Sequence, residues 1–332
     1  MSAGMMRAVV VDEFGPADHL HVSERPVPEP GTGEVSVEVA YAGVGFVDTL
    51  LRSGAFPLSR PFVPGIEVTG RIRAVGPGVD GFQEGQLVAA LLNDFGRTER
   101  AGGYAQVAIA HHAMTALVPE QADLAAVTAV ISNGVAAWLA LHKLARLKTR
   151  DRVLVLGASR GIGATTSRIA ALHPAAQVIG VVSHDPDRAP AQCTDVVIAD
   201  ELGDRLGDLT ADGNVDVVID PVGGQLRQDA FARLAPFGRH IVVGNASGED
   251  PHFSGDAAWL ETRILSGLNV GGTAHLRPVL VRDALAAVVA LVARGSLQEP
   301  APAIEPLENA ASVHRAIEDR TAPPKALLSP SD

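Results

Sequence analysis

The stretch Gly157-Ala-Ser-Arg-Gly-Ile-Gly163 sets three glycines between a short apolar run, Val153–Leu156, and a segment with a helical pattern. Glycine lets the backbone turn sharply and lets a ligand approach where a Cβ would obstruct it. The first N–H groups of the following helix have no partner within the helix, and they lie at the positive end of its dipole. A diphosphate placed there meets both, so the expected contacts are Ser159, Arg160, Gly161, Ile162 and Gly163. The chemistry implied is the binding of a dinucleotide.

A turn of this kind binds nucleotide only in the right setting. Val153–Leu156 is apolar on both faces, as a strand of a covered parallel sheet must be. Strand-like runs follow at Val178–Val182, Val196–Ile198, Val215–Asp220 and His240–Gly244, at the spacing of alternating strands and helices. The fold class expected is α/β, with a doubly wound parallel-sheet Rossmann domain. The wording of the turn is also similar to that of short-chain dehydrogenases, which use a Tyr-x-x-x-Lys pair for proton transfer. The two tyrosines here, Tyr41 and Tyr104, have Gly45 and Ala108 four residues on, and a whole domain precedes the turn, so that assignment fails.

The preceding domain reads as β-rich. Met6–Val11 is a first strand, a proline-rich connector leads to Val35–Tyr41 with Val35, Val37 and Val39 on one face, and Ile66–Val75 and Gln86–Ala90 are further strands. The charged loop Leu91–Ala101 reads as solvated surface, and Ala122–Ala145 as a helical region interrupted at Ser132-Asn133-Gly134.

Composition narrows the function classes. With 38 acidic against 27 basic residues, a net charge of -11 argues against nucleic acid as a partner. No apolar run is expected to reach membrane-spanning length, and without a leader pattern a cytoplasmic address is expected. The single cysteine, Cys193, excludes an intrachain disulfide and a thiolate-rich zinc site, and no metal is expected. The adjacent His111 and His112 are expected to point to opposite sides of an extended segment as surface residues.

Several segments together carry a more specific likeness. Pro28-Glu-Pro-Gly-x-Gly-Glu-Val, Ala42-Gly-Val-Gly-Phe-Val-Asp-Thr-Leu-Leu-Arg-Ser-Gly54, Pro64-Gly-Ile-Glu-Val-Thr-Gly70, Val75-Gly-Pro-Gly and Gly102-Gly-Tyr-Ala-Gln106 resemble the medium-chain dehydrogenase/reductase superfamily. Within it the chain is most similar to the zinc-independent quinone oxidoreductase, or zeta-crystallin-like, branch. The resemblance implies a GroES-like catalytic domain over residues 1–125, completed by about 272–332, around a Rossmann domain over 126–271. Zinc-dependent members place a cysteine near Gly45 and a histidine where Ile66 stands in Gly65-Ile66-Glu67, so both ligands are missing.

The resemblance also implies a reductase that passes hydride to an enone, enoyl group or quinone, the alternative being a binding protein with little turnover. Asp48 is kept from the family pattern as a candidate catalytic residue, equally readable as a structural acceptor, and Tyr41 or solvent is the candidate proton donor. Gly45, Phe46 and Leu50 are expected at the substrate, and Asn133, Ala136, Val222, Gly244, Asn245 and Ala246 at the cofactor. An acid after the second nucleotide-domain strand would select NAD, but Val182 and Ser183 stand there, and Ser183 and Arg188 could hold a 2′-phosphate. NADPH is expected, against the nearby charges of Asp185 and Asp187. Gly45, Leu50 and Ala136 replace the Asn, Tyr and Thr usual in that branch, which implies a roomier, more apolar pocket. An edge strand near Ile264–Val270 implies a homodimer.

Overall fold

A computed structural model describes residues 4–56, 58–92, 102–174 and 177–330; the charged loop read from the sequence falls mostly outside them, at 93–101. The chain divides into two units, Met1–Ser132 with Val270–Asp332, and Asn133–Asn269. In chain order the main elements are β1 (Met5–Val11), β2 (Leu20–Pro26), β3 (Glu34–Val44), α1 (Phe46–Ser53), β4 (Glu67–Val75), β5 (Leu87–Leu91), β6 (Val107–His111), β7 (Thr115–Leu117) and α2 (Leu124–Trp138). The second unit carries β8 (Arg152–Val155), α3 (Gly161–Ala171), β9 (Gln177–Val182), β10 (Asp195–Ile198), α4 (Leu202–Leu209), β11 (Val215–Asp220), α5 (Gly224–Ala232), β12 (Leu234–Val242), α6 (Gly255–Leu260) and β13 (Ile264–Gly267). The chain then returns with α7 (Val270–Leu276), α8 (Pro278–Ala293), β14 (Ala303–Pro306), α9 (Ala310–Glu318) and β15 (Ala326–Ser329).

The first unit is built on a sheet of order β14-β15-β3-β4-β5-β7, with β6 also pairing β3. Val35, Val37 and Val39 pack inward with Val68, Ile72, Val88 and Leu328, so period-two alternation fixes the core face of β3. β15 pairs antiparallel with Ala42–Val44, which makes this unit discontinuous in sequence. β3 bulges between Val39 and Tyr41, and there β4 comes so close that a Cβ on Gly70 would lie 2.0 Å from the Glu38 carbonyl oxygen.

The second unit is a six-stranded sheet of order β10-β9-β8-β11-β12-β13, and every adjacent pair is parallel. Val153, Leu154 and Val155 are fully buried, as the two-faced apolar run requires. The strand order reverses direction at β8 and β11, the switch point at which open α/β sheets bind ligands.

The structure corrects several local expectations. α2 runs unbroken through Ser132-Asn133-Gly134 and continues as a π-helical stretch over Leu139–Leu144. The resulting helix, Leu124–Leu144, has 21 residues and by length and composition could cross a membrane, but most of it is buried inside the protein, as in a core helix. β12 covers Leu234–Val242 rather than His240–Gly244, and β13 stops at Gly267, with a helix already begun at Val270. His111 and His112 do not diverge: the chain leaves β6 between them, and their rings stack with centroids 4.8 Å apart.

The Gly70 contact gives a test of the first unit. Gly70→Ala forces backbone against backbone and is expected to cost about 1–3 kcal/mol in urea unfolding. Gly255→Ala, whose Cβ meets nothing within 4 Å, is expected to be close to neutral.

Candidate active site

In the second unit the chain leaves β8 and enters α3 through the glycine turn. Gly157 and Gly161 have φ of 62° and 55°, a left-handed backbone that side chains with a Cβ rarely adopt. The third glycine has a different role. A Cβ on Gly163 would lie 2.3 Å from the Gly157 carbonyl oxygen, so Gly163 lets the helix seat on the turn. Nothing lies within 4 Å of a Cβ built on Gly161, so this face is open to a ligand. Ser159, Arg160 and Ile162 are half-buried around it, and the turn fits a diphosphate.

The next strands bring the other expected cofactor residues to the same end of the sheet. β9 ends at Val182, after which Ser183 and Arg188 are exposed; the Ser183 hydroxyl lies 2.9 Å from His184 Nδ1. Asp185 accepts from the Asp187 backbone N–H at 3.2 Å, a turn-forming bond. Val222 follows β11, and Gly244, Asn245 and Ala246 follow β12. Asn133 and Ala136 lie along α2, half-buried and buried.

A buried polar cluster that the sequence reading missed ties two of these segments together. Asp220, at the end of β11, accepts from the Val222 and Gly223 backbone N–H groups at 2.8 and 2.9 Å through Oδ1. Its Oδ2 takes the Arg227 guanidinium and lies 3.1 Å from His240 Nε2. Burial alone would raise its pKa, but hydrogen bonds from His240, Arg227 and Gly223 outweigh burial and hold the carboxyl below its ordinary value. Arg227 also donates to the Gly244 carbonyl at 2.6 Å, so one buried guanidinium couples the turns after β11 and β12. The signal lay in Asp-Pro-Val-Gly-Gly, but nothing in the spacing singled out Arg227, seven residues on, or His240, twenty residues on, as its partners.

The first unit holds the residues expected at the substrate. Tyr41 is half-buried on β3, in register with Thr69 on β4. Gly45 precedes α1, Phe46 opens the helix and is 50% exposed, and Leu50 is half-buried. Asp48 is fully buried, and its Oδ2 accepts from the Gly45 N–H at 2.8 Å, so it caps the turn in front of it. Burial pushes its pKa up to about 7, with the Glu67 charge adding to the rise and the Gly45 hydrogen bond and Lys325 opposing it. Glu67 itself, in the position of Gly65-Ile66-Glu67, is bound on both oxygens: Lys325 donates at 2.5 Å and the Ser132 N–H at 2.6 Å. No group of three or more potential metal ligands occurs among the described residues.

Arg227→Met strips the buried Asp220 carboxylate of its cation. The expected loss is about 3–5 kcal/mol in urea unfolding, because an unpaired charge stays buried. Gly244 is released at the same time, so weaker dinucleotide binding should accompany the loss in a fluorescence titration.

Known proteins match both halves of the chain. Residues 31–120 match the alcohol dehydrogenase GroES-like domain family, and residues 194–328 match a family described as zinc-binding dehydrogenase. A synaptic vesicle membrane protein VAT-1 homolog-like chain of Mus musculus is 30% identical over 73% of this chain, which spans 57% of that relative's length. A quinone oxidoreductase of Rattus norvegicus is 33% identical, covering 72% of this chain and 73% of the relative. A 2-haloacrylate reductase of a Burkholderia species is 28% identical over 98% of this chain and 99% of its own. Among solved structures, a mycobacterial protein complexed with NADPH superposes with a TM-score of 0.84 at 27% identity, over 98% of this chain and all of its own. Together with the Rossmann sheet and the β-rich unit, these matches establish that the chain belongs to the medium-chain dehydrogenase/reductase superfamily, in its quinone oxidoreductase branch.

Proposed function

We propose that this protein is an NADPH-dependent reductase that delivers hydride to an electron-poor carbon of an α,β-unsaturated carbonyl, enoyl or quinone acceptor. The observation that carries the proposal is the open Gly157–Gly163 cradle beside a β9 end that exposes Ser183 and Arg188 and lacks an acid at the ribose position. The quinone oxidoreductase and 2-haloacrylate reductase relatives, and the related structure with NADPH, support the same reaction class.

NADPH supplies a hydride from C4 of its nicotinamide when bound. The turn and the first N–H groups of α3 would hold the diphosphate, and the segments after β11 and β12 would line the rest of the cofactor. Arg188 would meet the 2′-phosphate as a charge-assisted donor, with Ser183 beside it. On the acceptor side, Gly45 and Leu50 offer little hydrogen bonding, which favours a bulky, apolar enone over a small polar quinone. The product carbon takes its proton from Tyr41 or from solvent, and Tyr41→Phe with a solvent-isotope comparison separates the two.

The proposed assembly is a homodimer through the free edge of β13, where Ile264 is 48% and Leu265 41% exposed. Light scattering is expected to give twice the 34.4 kDa chain mass, and Leu265→Lys to return it to one chain.

NADPH oxidation across a panel of quinones and unsaturated ketones tests the reaction. Turnover of the ketones is expected, and brisk turnover of quinones alone would refute the apolar-acceptor reading. Tight NADPH binding with no reduction of any acceptor would point to a binding role instead. Arg188→Ala is expected to weaken NADPH about tenfold or more while leaving NADH nearly unchanged, since one charge-assisted bond is worth about 1.5–3 kcal/mol.

A further inference from the structure

The seam between α1 and α9 in the first unit buries titratable groups that the hydride transfer does not use. Asp48 and Arg52 lie one helical turn apart on α1, and both are buried. Behind them are Tyr104 and His314, fully buried, with the Tyr104 hydroxyl 3.1 Å from His314 Nε2 and the rings edge to face. Arg52 is paired with Glu318 on α9, while Glu67 of β4 and Lys325, just ahead of β15, complete the charges around Asp48.

Burial first, then the Asp48 and Glu67 charges and hydrogen bonding toward Asp48, push the Tyr104 hydroxyl well above its ordinary value, so it stays protonated. Asp48 Oδ1 nevertheless has no partner at full hydrogen-bonding length among the described residues. Oδ2 is committed to the Gly45 N–H. Burial, reinforced by the Arg52 charge, lowers the His314 pKa to about 3.

We propose that Asp48 is a positioning residue, whose Oδ2 fixes the Gly45–Phe46 turn that receives the acceptor, within a buried seam that it shares with Tyr104 and His314. The assignment of this turn to the acceptor rests on the reductase reading above. The holding of the turn does not.

The two groups have opposite linkage. Asp48 is raised from 3.8 to about 7, so its contribution is present below the unfolded value and is lost as pH rises through about 7. His314 is lowered from 6.5 to about 3, so its contribution is present above 6.5 and is lost as pH falls through about 3. Between pH 4 and 6.5 the two slopes oppose each other in the native protein, and removing either group exposes the other.

The experiment uses the full chain and four variants. Urea unfolding from pH 4 to 8 is expected to show stability falling with pH in His314→Gln and rising with pH in Asp48→Asn; parallel slopes in the two variants would overturn the opposed linkage of the two groups. Amide exchange is expected to show the Gly45 N–H protected in the native chain and in Asp48→Asn, whose amide oxygen still accepts, and exposed in Asp48→Ala. Protection unchanged in Asp48→Ala would overturn the holding of the turn. With NADPH and 2-cyclohexen-1-one, Asp48→Ala is expected to raise the acceptor KM about tenfold, the worth of one hydrogen bond, with kcat within about threefold. Tyr104→Phe is expected to shift the pH profile of kcat/KM with its maximum kept. A fall in kcat of about a hundredfold or more at constant KM in Asp48→Asn would make Asp48 the proton donor and overturn the proposal. If no acceptor drives NADPH oxidation by the native chain, the reductase reading fails, while the unfolding slopes and Gly45 exchange still decide this one.

Discussion

Glu67 is a carboxylate with almost no exposure, set in a β-strand, and such a charge is tolerable only when every lone pair is met. Lys325 meets one oxygen and the Ser132 N–H the other, so the segment ahead of β15 and the middle of α2 are drawn to the same point on β4. Gly43 follows from the same constraint: a Cβ there would lie 2.3 Å from the Glu67 carboxylate, so the neighbouring strand must carry glycine. A single buried charge thereby links four segments that lie far apart in sequence. The Glu67 side chain also accepts from a backbone N–H inside α2, which runs on through Ser132-Asn133-Gly134.

The second unit applies the same logic to Asp220. Its carboxylate orders the turn after β11 and, through Arg227, reaches the backbone at the end of β12. Replacing a buried ion pair by apolar residues is often neutral or stabilising, so these pairs are better understood as fixing geometry than as sources of stability. The stability comes from the apolar faces on which they sit, the valine face of β3 and the two-faced run of β8. The turns after β11 and β12 are thus held by charge and the sheet beneath them by burial.

The geometry of the candidate cofactor turn was legible because it is local. Three glycines and the strand and helix around them are consecutive, and their roles follow from φ angles and close approach that no other residue permits. The acceptor half was legible only as positions. Asp48 stood out by its place in the segment from Ala42 to Gly54, but its environment depends on Glu67, Tyr104 and Lys325, up to hundreds of residues away. A sequence can show that an acid is present. Whether it is solvated and ionised or buried near neutrality depends on desolvation, which belongs to the packed structure.

The sequence by itself determined the two-part architecture, the glycine cradle, the missing acid at the end of β9 and the shortage of thiolates, since each is a matter of residue type at a fixed spacing. It misplaced the break in α2 and the geometry of His111 and His112, where local propensity competes with tertiary contact. Only the tertiary structure decided how the buried charges are met. Those pairings join residues that no periodicity connects, and their energies exist only once water has been removed.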